Sequence, residues 1–134
     1  MKRDIIIPEV KDVAVAIVRD IGENNAPVWN TYLLNLGTQE LTNVLVSSTG
    51  YGLIGNEQRQ TSTLRHYLGT VLPSTFLRIE PIVPELFGLT NEYWVSFYIG
   101  KEIFDKKYVF LAESVREDLF TRVPLLEKAG VMIK

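Results

Sequence analysis

The sequence contains no cysteine. That absence removes disulfides, thiolate nucleophiles and cysteine-bound metals together, and it fits a reducing compartment. There is one histidine, His66. A single imidazole falls short of the ligand sets that hold zinc, so no metal and no cofactor is expected. No stretch approaches the roughly 18 consecutive apolar residues that cross a bilayer. The apolar run Ile5-Ile6-Ile7 ends at Pro8 and Glu9, short of the roughly 7–15 residues of a secretory core. The expectation is a cytoplasmic chain with no membrane contact. Neither sign of charge dominates: Lys and Arg number 14 against 16 Asp and Glu, a formal net charge of −2. That balance argues against nucleic acid as a partner, because the basic footprint such binding needs is missing.

What is present is apolar. The hydrophobic fraction of 46% over 134 residues suits one globular domain spanning 1–134, able to build a core without staples. Apolar and polar residues alternate with the period of two that marks half-buried strands. In 13–19, Val13, Val15 and Ile17 share a face. In 28–36, Tyr32, Leu34 and Leu36 do. In 41–48, Val44 and Val46 do. Residues 59–68 are more polar, with Leu64 and Leu68 as their apolar positions, and read as an edge strand. Residues 74–80 form the fifth strand. Pro81 and Pro84 then break any ladder, and the crossing brings Leu86 and Phe87 over one end of the core.

The last two strands carry the clearest signal. Tyr93, Val95, Phe97 and Ile99 point one way, and Trp94, Ser96 and Tyr98 the other. Gly100-Lys101 follows, with glycine where a type II′ turn needs positive φ, so a tight hairpin into 102–111 is expected. The reading is therefore all-β: an antiparallel sandwich of about seven strands over 13–111. Its pattern resembles immunoglobulin-like and fibronectin-like domains. A C-terminal tail, 112–134, follows. Ser114-Val115-Arg116-Glu117 fits a capping box, which predicts a short helical turn ending near Phe120. Leu125-Leu126 and Val131-Met132-Ile133 then cover an edge of the sandwich or dock a partner.

Few motifs carry chemistry. Gly50-Tyr51-Gly52-Leu53-Ile54-Gly55 matches a dinucleotide-binding glycine pattern. That chemistry needs a helix directly after the glycines, and Asn56-Glu57-Gln58-Arg59 opens no amphipathic helix. A flexible loop between the third and fourth strands is the expectation. His66 shares a face with Leu64 and Leu68 and reads as partly buried and hydrogen-bonded. Arg78 and Glu80 stand two apart on one strand, a spacing for a solvated ion pair. Trp94, Tyr98, Phe104 and Tyr108 fall on one face if the final hairpin pairs as drawn. Packing explains such a face, and an exposed platform for sugar, peptide or nucleobase is the alternative. Trp94, Tyr98 and Tyr108 are its candidate binding residues.

Four segments give a wider likeness: Arg3-Asp4-Ile5-Ile6-Ile7-Pro8-Glu9-Val10, Leu41-Thr42-Asn43-Val44-Leu45-Val46-Ser47-Ser48, Asn91-Glu92-Tyr93-Trp94-Val95-Ser96-Phe97-Tyr98 and Val123-Pro124-Leu125-Leu126. Through them the chain resembles a family of short bacterial proteins, seen especially in Bacteroidetes. The function of that family is undetermined, and some members carry the inherited name of a phenylalanyl-tRNA synthetase α subunit. The resemblance implies no synthetase activity. Arg78 and Glu80 match the Arg-x-Glu of a second class II motif, but no ATP-binding third motif follows them. It also implies no site residues.

The function expected from these readings is non-enzymatic: a protein-interaction or scaffold domain that meets a protein partner or a second copy through an edge strand or the tail. The rival is a small-ligand or carbohydrate-binding module on the aromatic face. An enzyme using Arg59, Arg65 or His66 near the glycine run is the third reading.

Overall fold

The computed structural model describes residues 10–134. Most of the 3–10 segment of the family likeness, and the apolar run Ile5-Ile6-Ile7, lie outside the described residues.

Among the described residues, ten strands form two antiparallel sheets that pack as a sandwich. They are β1 (Val13–Ile21), β2 (Pro27–Asn35), β3 (Leu41–Ile54), β4 (Glu57–Gln60), β5 (Leu64–Val71), β6 (Thr75–Pro81), β7 (Thr90–Ile99), β8 (Glu102–Phe110), β9 (Thr121–Val123) and β10 (Lys128–Ile133). Sheet A has the order β6-β2-β1-β10-β9. Sheet B has the order β4-β3-β7-β8, with β5 also paired to β3. Along one edge of β3, β5 pairs with 41–48 and β4 with 51–54. The main core lies between the sheets, where Val13, Val15, Ile17 and Leu33 of sheet A meet Val44, Val46, Tyr93, Val95, Phe97 and Tyr108 of sheet B. The alternation read from the sequence thus sets the inward faces of β1, β3 and β7.

The β7–β8 hairpin closes as expected. Ile99 pairs with Glu102, Gly100 has φ +61 and Lys101 stays at negative φ. That is the signature of glycine at the first position of a type II′ turn.

Three expectations are corrected. The helical turn is one 3-10 turn, Glu117–Leu119, preceded by Arg116 with no side-chain cap, so Ser114 forms no capping box. Beyond it the chain is β: β10 lies in sheet A between β1 and β9. The glycine run is not a flexible loop. β3 continues through Gly50 and Gly52 to Ile54, and only Gly55 sits in the turn to β4, with φ +63.

Both faces of β1 are buried. Its even positions Ala14, Ala16 and Val18 form a second apolar cluster with Tyr32, Leu34 and Val123 on the far side of sheet A. Leu125 and Leu126, from the turn between β9 and β10, pack against this cluster. The cluster ends at Asp20. Its Oδ2 accepts hydrogen bonds from Asn30 Nδ2 and Tyr32 OH, both at 2.7 Å, and its Oδ1 meets Lys128 Nζ. Burial alone raises the Asp20 pKa, but these donors outweigh it and hold the carboxyl below its ordinary value. Burial, with the same contact to Asp20, pushes the Tyr32 phenol up to about 12.

Candidate functional site

Where β5 of sheet B meets β6 of sheet A, the seam of the sandwich holds a polar cluster centred on Glu80. The sequence spacing places Glu80 beside Arg78 on one strand face, but a β-bulge intervenes. Tyr32 pairs with Arg78 and Thr31 with Glu80, leaving Ile79 as the extra residue. Such a bulge re-aims side chains. Ile79 and Glu80 both turn inward while Arg78 stays exposed. Glu80 is therefore not paired with Arg78. Its Oε1 accepts from Ser48 Oγ and contacts His66 Nε2, both at 2.7 Å. Its Oε2 accepts from Tyr93 OH at 3.3 Å, and the Tyr93 oxygen lies 3.0 Å from Thr31 Oγ1. Burial, with the Glu80 charge beside it, raises the Tyr93 phenol pKa. One carboxylate thus gathers groups from β3, β5 and β7 onto β6.

The cluster is not a hydrolytic triad. In a triad the histidine stands between serine and carboxylate. Here Ser48 and His66 bind the same carboxylate oxygen. The partly buried, hydrogen-bonded place expected for His66 is where it sits. Arg59, Arg65 and His66 do not converge. Arg65 and His66 are neighbours in β5 and so face opposite sides, pairing with Ser47 and Val46. Arg59 lies in β4 opposite Gly52. Among the described residues, no three His, Asp or Glu side chains are grouped to hold a metal ion. Among the same residues, no helix is long and apolar enough to cross a membrane.

Beside Glu80 the seam opens as a pocket of about 150 Å³, walled by Ser48, Thr61, Ser62, Asn91 and Tyr93. Gly50 leaves this space free. A Cβ at that position would lie 2.9 Å from Asn91 Oδ1 and 3.3 Å from the Thr61 methyl carbon. The sequence offered the glycine but gave no reason to link it to a carboxylate thirty positions away.

The aromatic platform is not assembled as drawn. The β7–β8 register pairs Tyr93 with Tyr108 and Phe97 with Phe104, and sets Trp94 opposite Lys107 and Tyr98 opposite Ile103. Tyr108 is wholly buried, donating its hydroxyl to Val13 O at 2.7 Å. Burial raises its pKa. Phe104 packs on the core and stacks on Phe97 at 5.6 Å. Trp94, 48% exposed, faces outward, and Tyr98 is half-buried on the same side. Their neighbours on the outer face of sheet B come from strands that the sequence had not joined to them. Leu45 lies across from Tyr67, and Ser47 lies between Arg65 and Trp94. Leu45, Tyr67 and Ile103 are exposed. This face is strand-built and mixed: aromatic and aliphatic side chains set among Arg65, Asp105 and Lys107.

Comparison of the chain with protein-family models, with curated proteins and with solved structures finds no match.

Proposed function

We propose that this protein is a non-enzymatic interaction domain that binds a protein partner through the outer face of sheet B. One observation carries the reading: Leu45, Tyr67, Trp94 and Ile103 are exposed together on adjoining strands of that face. Exposed aromatics at the centre of a mixed surface are the residues that dominate protein contacts. The tail is less suited to that role, because β10 is an interior strand and Leu125 and Leu126 pack on their own sheet. Edge pairing at β9 and at β8 has less support as well. β9 has three residues, and β8 carries Glu102, Asp105, Lys106 and Lys107, charges that discourage added strands.

A carbohydrate-binding reading has less support: Ser47 and Lys107, not a second ring, lie directly across from the Trp94 indole. The test is capture from the source organism's lysate on wild-type protein beside the Trp94→Ala, Tyr67→Ala double variant. A partner held by the wild type and lost from the variant supports the protein reading. Equal capture by both removes this face from the function.

A further inference from the structure

We propose that the seam pocket is a receptor for a primary ammonium group, the end of a lysine-like side chain or of a small alkylamine, seated on Glu80. This site is separate from the outer face of sheet B, and neither reading depends on the other.

Charge gives the first reason. The Glu80 side chain is 12% exposed, and its ion-pair partner is His66, an imidazole that is cationic only when protonated. Among the described residues, no lysine or arginine lines the pocket. The pocket therefore holds a half-enclosed carboxyl group with no fixed cation beside it, an arrangement that favours an incoming cation.

Bonding capacity gives the second. Oε1 has two partners, but Oε2 has only the long contact from Tyr93. A carboxylate oxygen takes two donors, and an ammonium offers three. The remaining two find acceptors in the hydroxyl oxygens of the wall and in Asn91 Oδ1. The orientation of that amide is set because its nitrogen donates to Leu86 O at 2.8 Å and Leu89 O at 3.2 Å.

Size gives the third. Whole-ligand pockets run from about 300 to 1,000 Å³, so about 150 Å³ takes a terminal group and its first carbons rather than a nucleotide or a sugar chain. One carboxylate and one imidazole also fall short of the six or more oxygen ligands of calcium.

The experiment is a titration of the full chain with n-butylamine at neutral pH, followed by amide chemical shifts, with n-butanol and glucose as neutral probes and N-acetyl-lysine amide as the side-chain mimic. The expected result is saturable shifts at Thr61, Ser62 and Glu80 with butylamine and the lysine mimic, and none with the neutral probes. Glu80→Gln is expected to weaken binding at least about tenfold. Ser62→Phe, at an exposed position that leaves every Glu80 bond in place, is expected to block it. No saturable shift, an equal response to butanol or glucose, or binding that survives Ser62→Phe would overturn the assignment. Ser62→Phe decides it even if Glu80→Gln does not fold.

Discussion

His66 Nε2 and Glu80 Oε1 stand 2.7 Å apart across the seam between the two sheets. They belong to consecutive strands, β5 and β6, that lie in different sheets. The contact therefore closes the side of the sandwich where the chain passes from one layer to the other, and Ser48 and Tyr93 reach the same carboxylate from the strands behind.

Removing that carboxylate is expected to cost more than removing any one of its three partners. Glu80→Ala leaves Ser48, Tyr93 and His66 without their shared acceptor, and a loss of about 2 to 3 kcal/mol is expected. His66→Ala, at a more open position, is expected to cost about 1 kcal/mol. Urea unfolding of both variants checks the order. Equal small losses would mean that the seam is held by its apolar contacts alone.

Gly130→Ala is expected to be severe. A Cβ at that position would fall 2.3 Å from Ile17 O and 2.9 Å from Val18 Cα. Backbone atoms in the middle of a sheet cannot move aside cheaply, so a loss of at least about 2 kcal/mol is expected. Thermal melting reads this directly. A variant that melts with the wild type would show that β10 can shift away from β1 without penalty.

Acid should act through Asp20. Its pKa is lowered in the fold relative to the ordinary value of 3.8. The stability it contributes is present above that unfolded value and lost as pH falls through the lower folded one. At the other end of the scale Tyr32 has its pKa raised from 10.0 to about 12. Its contribution is present below 10.0 and lost as pH climbs through about 12. Stability against pH, measured for wild type and Asp20→Asn, should show a shallower acid limb in the variant. Parallel acid limbs would assign acid unfolding to other carboxylates.

Two aromatic substitutions should separate packing from recognition. Tyr108→Phe removes the hydroxyl bonded to Val13 O, so about 1 kcal/mol of stability should go while partner capture stays unchanged. Trp94→Ala, at an exposed site, should leave stability within about 0.5 kcal/mol and reduce capture. If the two effects fall on the same variant, the division of β7 and β8 into inward and outward faces does not govern binding.

Sequence reasoning read the strands best where one face is core and the other is solvent. Tyr93, Val95 and Phe97 were legible because every second residue is apolar. The same rule failed at β1, where Ala14, Ala16 and Val18 are also buried: a strand covered on both sides loses its alternation. It failed at Glu80 because a bulge adds a residue in β6, and nothing local announces it. It put Tyr108 on the face of Trp94 and Tyr98, because a hairpin's cross-strand partners depend on counting from the turn. With the register fixed by Gly100 and Lys101, Tyr108 falls opposite Tyr93. The candidate surfaces were less legible than the fold. Both join residues across strands that share no local sequence pattern: Glu80 with Ser48 and Tyr93, and Tyr67 with Leu45 and Trp94.

The place of β10 bears on how the molecule comes into being. It is the last of the ten strands, yet it lies beside the first, with Val15 opposite Ile133 and Val18 opposite Gly130. On the ribosome, β1 and β2 emerge early and must wait for β10 until all the other strands have been made. During that wait one edge of β1 is open and the cluster around Ala14 and Ala16 lacks Leu125 and Leu126. Pairings of such long range form slowly, and exposed strand edges are where nascent chains associate wrongly. A chain cut before Lys128 would lose an interior member of sheet A, so that sheet is complete only once β10 has been made.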